Sequence, residues 1–309
     1  MKDKFLKDQQ RKLAIGAIDR RQFISSAMAA GVVLPTAMTM ATQAFAGGHA
    51  SVGGHVKLAL GHGSTTDTLD PATFENGWSN MVGYMIRNHL TEVGSDGQLR
   101  GELAESYESS DGKTWIFHLR KGVEFHNGKS LTQDDVIASL QHHMGEDSQS
   151  AAKGLLTAVE SMSKEGSNSV KIVLKSPNAD FPFIVSDYHL AICPESGGKI
   201  TPEDGIGTGY MVLDRFDPGV VGTGTRNPNW WKPEGYFESA EVLSIIDPTA
   251  RQTAVMNGDV HIIDRLAPNT VALMSKNPNL NIQQVTGTLH YTFPMRLNVE
   301  PFDNYDLRM

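Results

Sequence analysis

The sequence is poor in cysteine: Cys193 is the single thiol among 309 residues. No internal disulfide can form, so a disulfide-stapled scaffold is excluded. The compartment stays open, because oxidising compartments permit disulfides without requiring them. Long apolar runs are missing too, and no stretch offers the roughly 20 strongly apolar residues that a spanning helix wants. The chain has no Gly-Lys-Ser/Thr phosphate loop, no G-x-S-x-G elbow and no H-E-x-x-H helix. An exported hydrolase, the runner-up class, therefore has no recognisable nucleophile or metal motif behind it. Base is outnumbered by acid, 27 Lys and Arg against 35 Asp and Glu. At 39% apolar and 20% charged residues the composition is globular, and the length suits roughly two domains.

The charges are distributed unevenly. Residues 22–56 contain no Asp, Glu, Lys or Arg, whereas residues 1–21 carry seven basic groups, among them Arg20 and Arg21. A basic region, an uncharged apolar stretch and Ala44-Phe45-Ala46 have the order of an export signal with an A-x-A cleavage site. Asp19-Arg20-Arg21-Gln22-Phe23-Ile24 resembles a twin-arginine signal, followed by a mildly hydrophobic stretch broken by Pro35. The expectation is a cleaved leader over residues 1–46, not a membrane anchor. The rest of the chain keeps 20 basic and 32 acidic groups, net −12, which argues against nucleic acid or an anionic membrane as main partner.

Beyond the leader, strand and helix signals interleave, which places the fold in the α/β or α+β class. His55 to Leu60 alternates as a first strand, and residues 78–90 carry apolar groups at helical spacing. Asp111-Gly112 suits a hairpin turn between a strand ending at Ser109 and one with Trp115, Phe117 and Leu119 on one face. Thr132 and Asp135 resemble a capping box opening a helix whose buried side holds Val136, Ile137 and Leu140. Asp247-Pro248 and Asn257-Gly258 read as the start and stop of another helix.

The chemical candidates are few. Gly205, Gly207 and Gly209 precede a strand and do not open a helix, so they read as a flexible turn. His49, His55 and His62 have no ligand-like spacing, and His142 and His143 point to different helix faces, so no metal is expected. Asp134 and Asp135 read as helix-start charges, Cys193 as a small buried hydrophobe, and Trp230-Trp231 as packing aromatics.

One stretch is more specific. Leu103 to Tyr107, Asp111 to Lys129 and Leu131 to Val136 closely resemble the signature of the peptide/nickel-type extracellular solute-binding proteins of ABC transporters, solute-binding protein family 5. Thr68-Leu69-Asp70-Pro71, Gly207 to Tyr210 (without the family's proline), Arg226 to Trp231, Ala254 to Val260 and Pro301 to Arg308 agree in order. The resemblance implies a two-lobed periplasmic-binding-protein-like α/β fold with a hinge and an α+β insert. By that reading the first lobe spans 52–88 and 206–267, the insert 89–205, and the second lobe starts at 268–309. Family members are longer, so a C-terminally truncated sequence is implied. The implied role is capture without chemistry or cofactor. A periplasmic, monomeric protein would close on a small solute and deliver it to ABC permease membrane subunits. A peptide is favoured; a nickel complex, haem, an opine or an oligosaccharide are further family ligands. A sensor or chaperone role is a third reading, which a neighbouring permease operon would count against. The loop after the first strand (Ser64, Thr65, Thr66 and Asp67) is expected to line the cleft, with Tyr291, Arg296 and Asn298 as weaker candidates for the opposite wall.

The leader reading makes a prediction. Arg20→Lys with Arg21→Lys is expected to block export by the twin-arginine route, and the exported parent is expected to begin at Gly47. N-terminal sequencing of the exported protein checks both; a chain beginning at Met1 overturns the leader.

Overall fold

The computed structural model describes residues 53–285 and 294–308, together with parts of 5–40. Contacts divide the chain into two units, Met1–Arg265 and Leu266–Met309. Helix α1 (Arg20–Ala29) falls in the stretch expected to be a leader, and there Phe23 and Ala27 pack with Leu6 and Ala37. Among the described residues no helix is long and apolar enough to cross a membrane. Ala44 and Ala46 lie outside the described residues.

The first unit then forms β1 (His55–Leu60), α2 (Gly77–Ile86), β2 (Thr91–Val93), β3 (Leu99–Gly101), β4 (Ala104–Glu108), β5 (Thr114–Leu119) and α3 (Gln133–His142). It continues with β6 (Val159–Glu165), β7 (Ser169–Leu174), α4 (Phe181–Ile184), β8 (Glu195–Ser196) and β9 (Lys199–Ile200). β10 (Met211–Asp217), β11 (Val221–Arg226), β12 (Ser239–Ser244), α5 (Pro248–Asn257) and β13 (Ile262–Ile263) complete it.

Two sheets dominate. The first has the order β10-β11-β12-β1-β13, so the chain leaves it after Leu60 and returns only at Met211. Parallel pairing of β1 with β12 and β13 brings three carboxyl ends together on one edge. Trp78 of α2 lies flat on this sheet, its indole donating to the Val242 carbonyl at 2.9 Å and its ring stacked on Phe216. Asn76 starts α2 by accepting from Trp78 N and Ser79 N, both at 3.0 Å, which satisfies two of the unpaired donors of the first turn.

The second sheet, β4-β5-β7-β6, is antiparallel throughout. Its polar-apolar alternation does what a half-buried strand requires: Trp115, Phe117 and Leu119 face inward against Val170, Ile172 and Leu174. Gly112 takes the left-handed backbone of the turn, and the Asp111 carboxylate accepts from Lys113 N and Thr114 N. Val136 and Leu140 of α3 close the core from one side, and Ile137 is half-buried against it.

One expectation is extended and one needs correction. Asp135 is the first-turn charge and capping-box partner that the sequence implies, but it is not exposed to solvent. It is fully buried, and its carboxylate accepts from Thr132 N and Oγ1, Glu195 N and the Lys129 ammonium. A buried carboxylate requires such partners, and Lys129 lies six residues away, beyond what a first-turn rule covers. Nor is the Gly205–Gly209 turn flexible. A Cβ at Gly207 would stand 2.0 Å from the Ile86 carbonyl oxygen, and one at Gly209 2.3 Å from the Ile86 carbonyl carbon. These glycines permit close approach of two backbones; only Gly205 is left-handed. The Trp231 ring packs on the insert core with the Arg120 and Lys232 cations each 5.0 Å from its centroid.

The contact at Gly207 can be tested. Gly207→Ala is expected to destabilise the fold by about 1–3 kcal/mol or more, as overpacking does. Gly154→Ala is the control, because nothing lies within 4 Å of its added Cβ and its φ is unexceptional. Urea denaturation midpoints distinguish them; equal midpoints would remove the close-approach argument.

Candidate functional site

At the edge where β1, β12 and β13 end, the three following loops are tied together. Gly61 N donates to Asp264 Oδ1 at 3.1 Å. Arg251, buried under the edge, donates to the Ile245 carbonyl at 2.6 Å and pairs with Asp264 at 3.3 Å. In open α/β sheets ligands bind outside the carboxyl ends of the strands, where loops diverge. A cleft of about 530 Å³ lies here, lined by His62, Ser64, Thr66, Asp67, Thr73, Glu75, Asn76 and Arg265. Every lining side chain is polar or charged. Among the described residues His62 (φ 69°) and Arg265 (φ 49°) are the non-glycine residues with left-handed backbone, and both line this cleft. Such strain persists only where surrounding structure enforces it, and it concentrates at ligand sites.

Ser64, Thr66 and Asp67 thus line the cleft, whereas Thr65 is exposed beside it and is not among the lining residues. The loop is already bonded internally. Ser64 N donates to Asp67 Oδ2 at 2.7 Å, Asn76 Nδ2 donates to Asp67 Oδ1 at 2.7 Å, and the Ser64 and Thr66 hydroxyls stand 2.8 Å apart. Asp67 therefore acts as a brace, with the two hydroxyls, Thr73, Glu75 and Arg265 lining the cleft around it. Gly219 presses on the other side of the loop; its Cβ would meet the Ser64 carbonyl carbon at 2.4 Å.

The far wall of the cleft, Thr73 to Asn76, is held by the insert. His142 Nε2 stands 2.9 Å from Asp70 Oδ2, and Asp70 Oδ1 accepts from Ala72 N. Ala151 N donates to the Ala72 carbonyl at 3.1 Å, and His189 Nε2 lies 2.8 Å from the Phe74 carbonyl. The Phe74 ring fills the space over Gly83 of α2, where a Cβ would fall 2.4 Å from the ring. Burial works to raise the Asp70 carboxyl, but hydrogen bonds from His142 and Ala72 outweigh it and hold its pKa below the usual value. His143, beside His142, bonds Ser150 Oγ through Nδ1 at 2.7 Å, and burial followed by the nearby His142 pushes its pKa down to about 4.

Sequence reasoning missed His62, Thr73, Glu75, Asn76 and Arg265 as cleft residues. Asn76 was findable as the cap before a helical run. His62 lies in the same loop as Ser64, directly after β1, whereas Arg265 carries no local signal, since its position follows from β13 pairing with β1 across 204 residues. Tyr291 and His49 lie outside the described residues. Arg296 and Asn298 belong to the second unit, where helix α6 (Pro268–Met274) is formed. Both are exposed, Arg296 without regular structure and Asn298 in a turn. No described strand offers those residues a ladder. His55 bonds Ser239 and pairs with Glu241, and the described residues hold no group of three His, Cys, Asp or Glu suited to a metal. The rings of His142 and His143 touch edge to face at 5.3 Å but serve different partners. Cys193 is buried, its thiol pushed up by burial.

A mixed sheet with a polar cleft at its parallel edge, interrupted by an antiparallel insert, defines the α/β class of periplasmic-binding-protein-like folds. In agreement, the peptide-bound periplasmic binding protein DppA of Helicobacter pylori superposes with a TM-score of 0.66 at 21% identity, over 74% of this chain and 50% of that one. Residues 98–309 match the family described as bacterial extracellular solute-binding proteins, family 5 middle, and the chain belongs to this family. It is similar to di/tripeptide-binding protein 2 of Pseudomonas aeruginosa (24% identical, covering 81% of this chain and 53% of the relative). It is also similar to the glutathione-binding protein GsiB of Escherichia coli (26% identical, 82% and 50%). The chain spans about half the length of these curated relatives.

The depressed pKa of His143 has a consequence for acid stability. The unfolded chain takes up this proton near the ordinary value of 6.5, the folded chain only near 4. Folding is therefore expected to lose stability as pH falls through that window. His143→Gln is expected to flatten the dependence, read from urea midpoints at about pH 7 and pH 4.5. An unchanged slope in the variant would show that His143 does not carry it.

Proposed function

We propose that this chain serves as the substrate-binding component of an ABC importer in the periplasm, reached by the twin-arginine route. It captures a peptide or similar small polar solute by hinge closure, without chemistry, and delivers it as a monomer to a membrane permease. The observation that carries this reading is the wholly polar cleft at the carboxyl ends of β1 and β13, in a chain of this family. Residues 52–88 and 206–267 act as the first lobe, 89–205 as an insert that supports the cleft wall, and 268–309 as the start of the second lobe. Peptide is favoured over a nickel complex, haem, an opine or an oligosaccharide, because similar proteins are named for di/tripeptide and glutathione binding. The lining side chains are all polar or charged, which suits a small polar solute better than a haem.

Cleft closure buries polar groups, and each must then find a partner on the solute. Ser64 and Thr66 supply hydroxyls for this, Glu75 and Arg265 supply charge, and Arg296 and Asn298 remain proposed for an opposite wall. Ser64→Ala with Thr66→Ala is expected to weaken peptide binding about tenfold, since a lost hydrogen bond costs about 0.5–1.5 kcal/mol net. Thr65→Ala is expected to stay within about twofold on the same scale. Calorimetry with glutathione and a panel of di- and tripeptides measures both. Unchanged affinity in the double variant would remove the loop from the cleft, and saturable turnover of any panel member would overturn capture.

A further inference from the structure

A second cavity lies where the insert meets α2. Its volume is about 310 Å³, within the range of small-molecule sites, and Tyr84, His89, Glu92, Val93, Glu102 and Ser186 line it. A buried carboxylate forms part of its wall. Glu102 is 5% exposed and accepts from Asn88 Nδ2 at 2.6 Å, His89 N at 2.7 Å and Lys232 Nζ at 3.0 Å. Burial works to raise its carboxyl, but the bond from His89 and the nearby charges outweigh it and keep the group ionised. Lys232 also donates to Glu92 Oε2 at 2.7 Å, so one ammonium serves two carboxylates. The negative excess reaches the rest of the lining: burial, then Asp187 and Glu102, push the Tyr84 phenol up to about 12. One side chain of the wall is incomplete. His89 is 3% exposed, its N bonded to Glu102 and its carbonyl accepting from Leu103 N at 2.9 Å. Its Nδ1 stands 3.6 Å from Glu102 Oε2, whereas Nε2 has no hydrogen-bond partner. Buried polar atoms are rarely left so without a water or a ligand.

We propose that this cavity binds a small amino alcohol, its ammonium against Glu92, its hydroxyl on His89 Nε2 and its short carbon chain against Tyr84 and Val93. The charge of the lining selects a cation and repels a carboxylate. Its donors are not arranged for a metal ion, so the cation is organic. Tyr84 and Val93 are about half exposed and offer an aromatic face and an apolar wall to a chain of few carbons. Ser186 Oγ gives its proton to the Phe183 carbonyl at 2.7 Å, so only its lone pairs remain, and these suit an ammonium. The hydroxyl is called for by His89. An O–H both donates and accepts, so it completes Nε2 whichever state the ring adopts. Thr91, fully buried, donates to the Pro182 carbonyl at 2.6 Å, which fastens β2 to α4 whether or not a ligand is present. Nothing in this site depends on the capture reading, because none of its residues lines the cleft.

The test titrates ethanolamine into the full chain and follows amide and ring nitrogens by NMR. Saturable shifts are expected at the His89 ring and at the amides of His89 to Val93, with the Ser64 and Thr66 amides unmoved. Ethylamine, which lacks the hydroxyl, is expected to bind at least about tenfold more weakly, because a buried partner is stranded. Ethylene glycol lacks the ammonium and glycine carries a carboxylate, so neither is expected to saturate. Glu92→Gln is expected to weaken ethanolamine about tenfold, the order of a charge-assisted bond. The Glu92 side chain is 39% exposed, so this variant is expected to melt close to the parent; should it melt early, the ligand series decides alone. Absence of saturable shifts at about 10 mM ethanolamine overturns the proposal. So does ethylamine or glycine binding as tightly, or shifts that appear at Ser64 and Thr66 in place of His89. Failure here leaves peptide binding in the cleft untouched, which calorimetry with glutathione reports separately.

Discussion

The first unit depends on what happens at the end of α2. There the chain leaves one sheet to build the insert, and there it must come back. Gly209 N donates to the Ile86 carbonyl at 2.9 Å, with Gly207 and Gly209 bare so that the returning strand can lie against the helix end. The next residue, Arg87, is 1% exposed, and its guanidinium donates to the Leu69 and Pro202 carbonyls. A buried cation normally demands a carboxylate, since its desolvation penalty is several kcal/mol. Here carbonyl oxygens and the negative end of the helix macrodipole stand in for it. The arginine thereby joins the loop before the cleft wall to the segment that closes the insert, and neither can shift without stranding a charge.

What was legible in the sequence is what a short window encodes. Alternation at Trp115, Phe117 and Leu119 fixes which face is inward, and Asp247-Pro248 with Gly258 fixes where α5 begins and ends. Periodicity says that a side chain is buried, but not against what. The parallel neighbours of β1 come from residues 239–244 and 262–263, and the partner of Phe74 is 115 residues away. No local rule reaches so far. The cleft was legible to the same extent. Ser64, Thr66 and Asp67 could be found because they follow a strand, and His62 lay within reach of the same rule; Arg265 could not, because its place depends on which strands lie side by side.

The same distinction explains why Asp67 plays a different part from its neighbours. In the sequence it is one polar residue of four in a turn. In the structure both its oxygens are taken, by Ser64 N and Asn76 Nδ2, and Asn76 in turn caps α2. A loop that satisfies its own polar groups loses little freedom when a solute arrives, and ordering on binding is a large part of what weakens polar sites. The brace thus sets the loop's geometry, while the hydroxyls and Glu75 and Arg265 face the cleft.

The far wall of the cleft shows how one residue type can be placed in two environments within a single network. His143 and His189 are both buried and both sit beside an acid-bearing loop. His143 Nδ1 meets a hydroxyl and its Nε2 meets nothing, so desolvation dominates and the ring stays neutral. His189 meets a carboxylate on one side and a carbonyl on the other. It is also among the groups that depress the pKa of His143. Two like side chains thus play different mechanical parts: the neutral His143 fills space at the end of α3, and His189 bonds the cleft wall at Phe74.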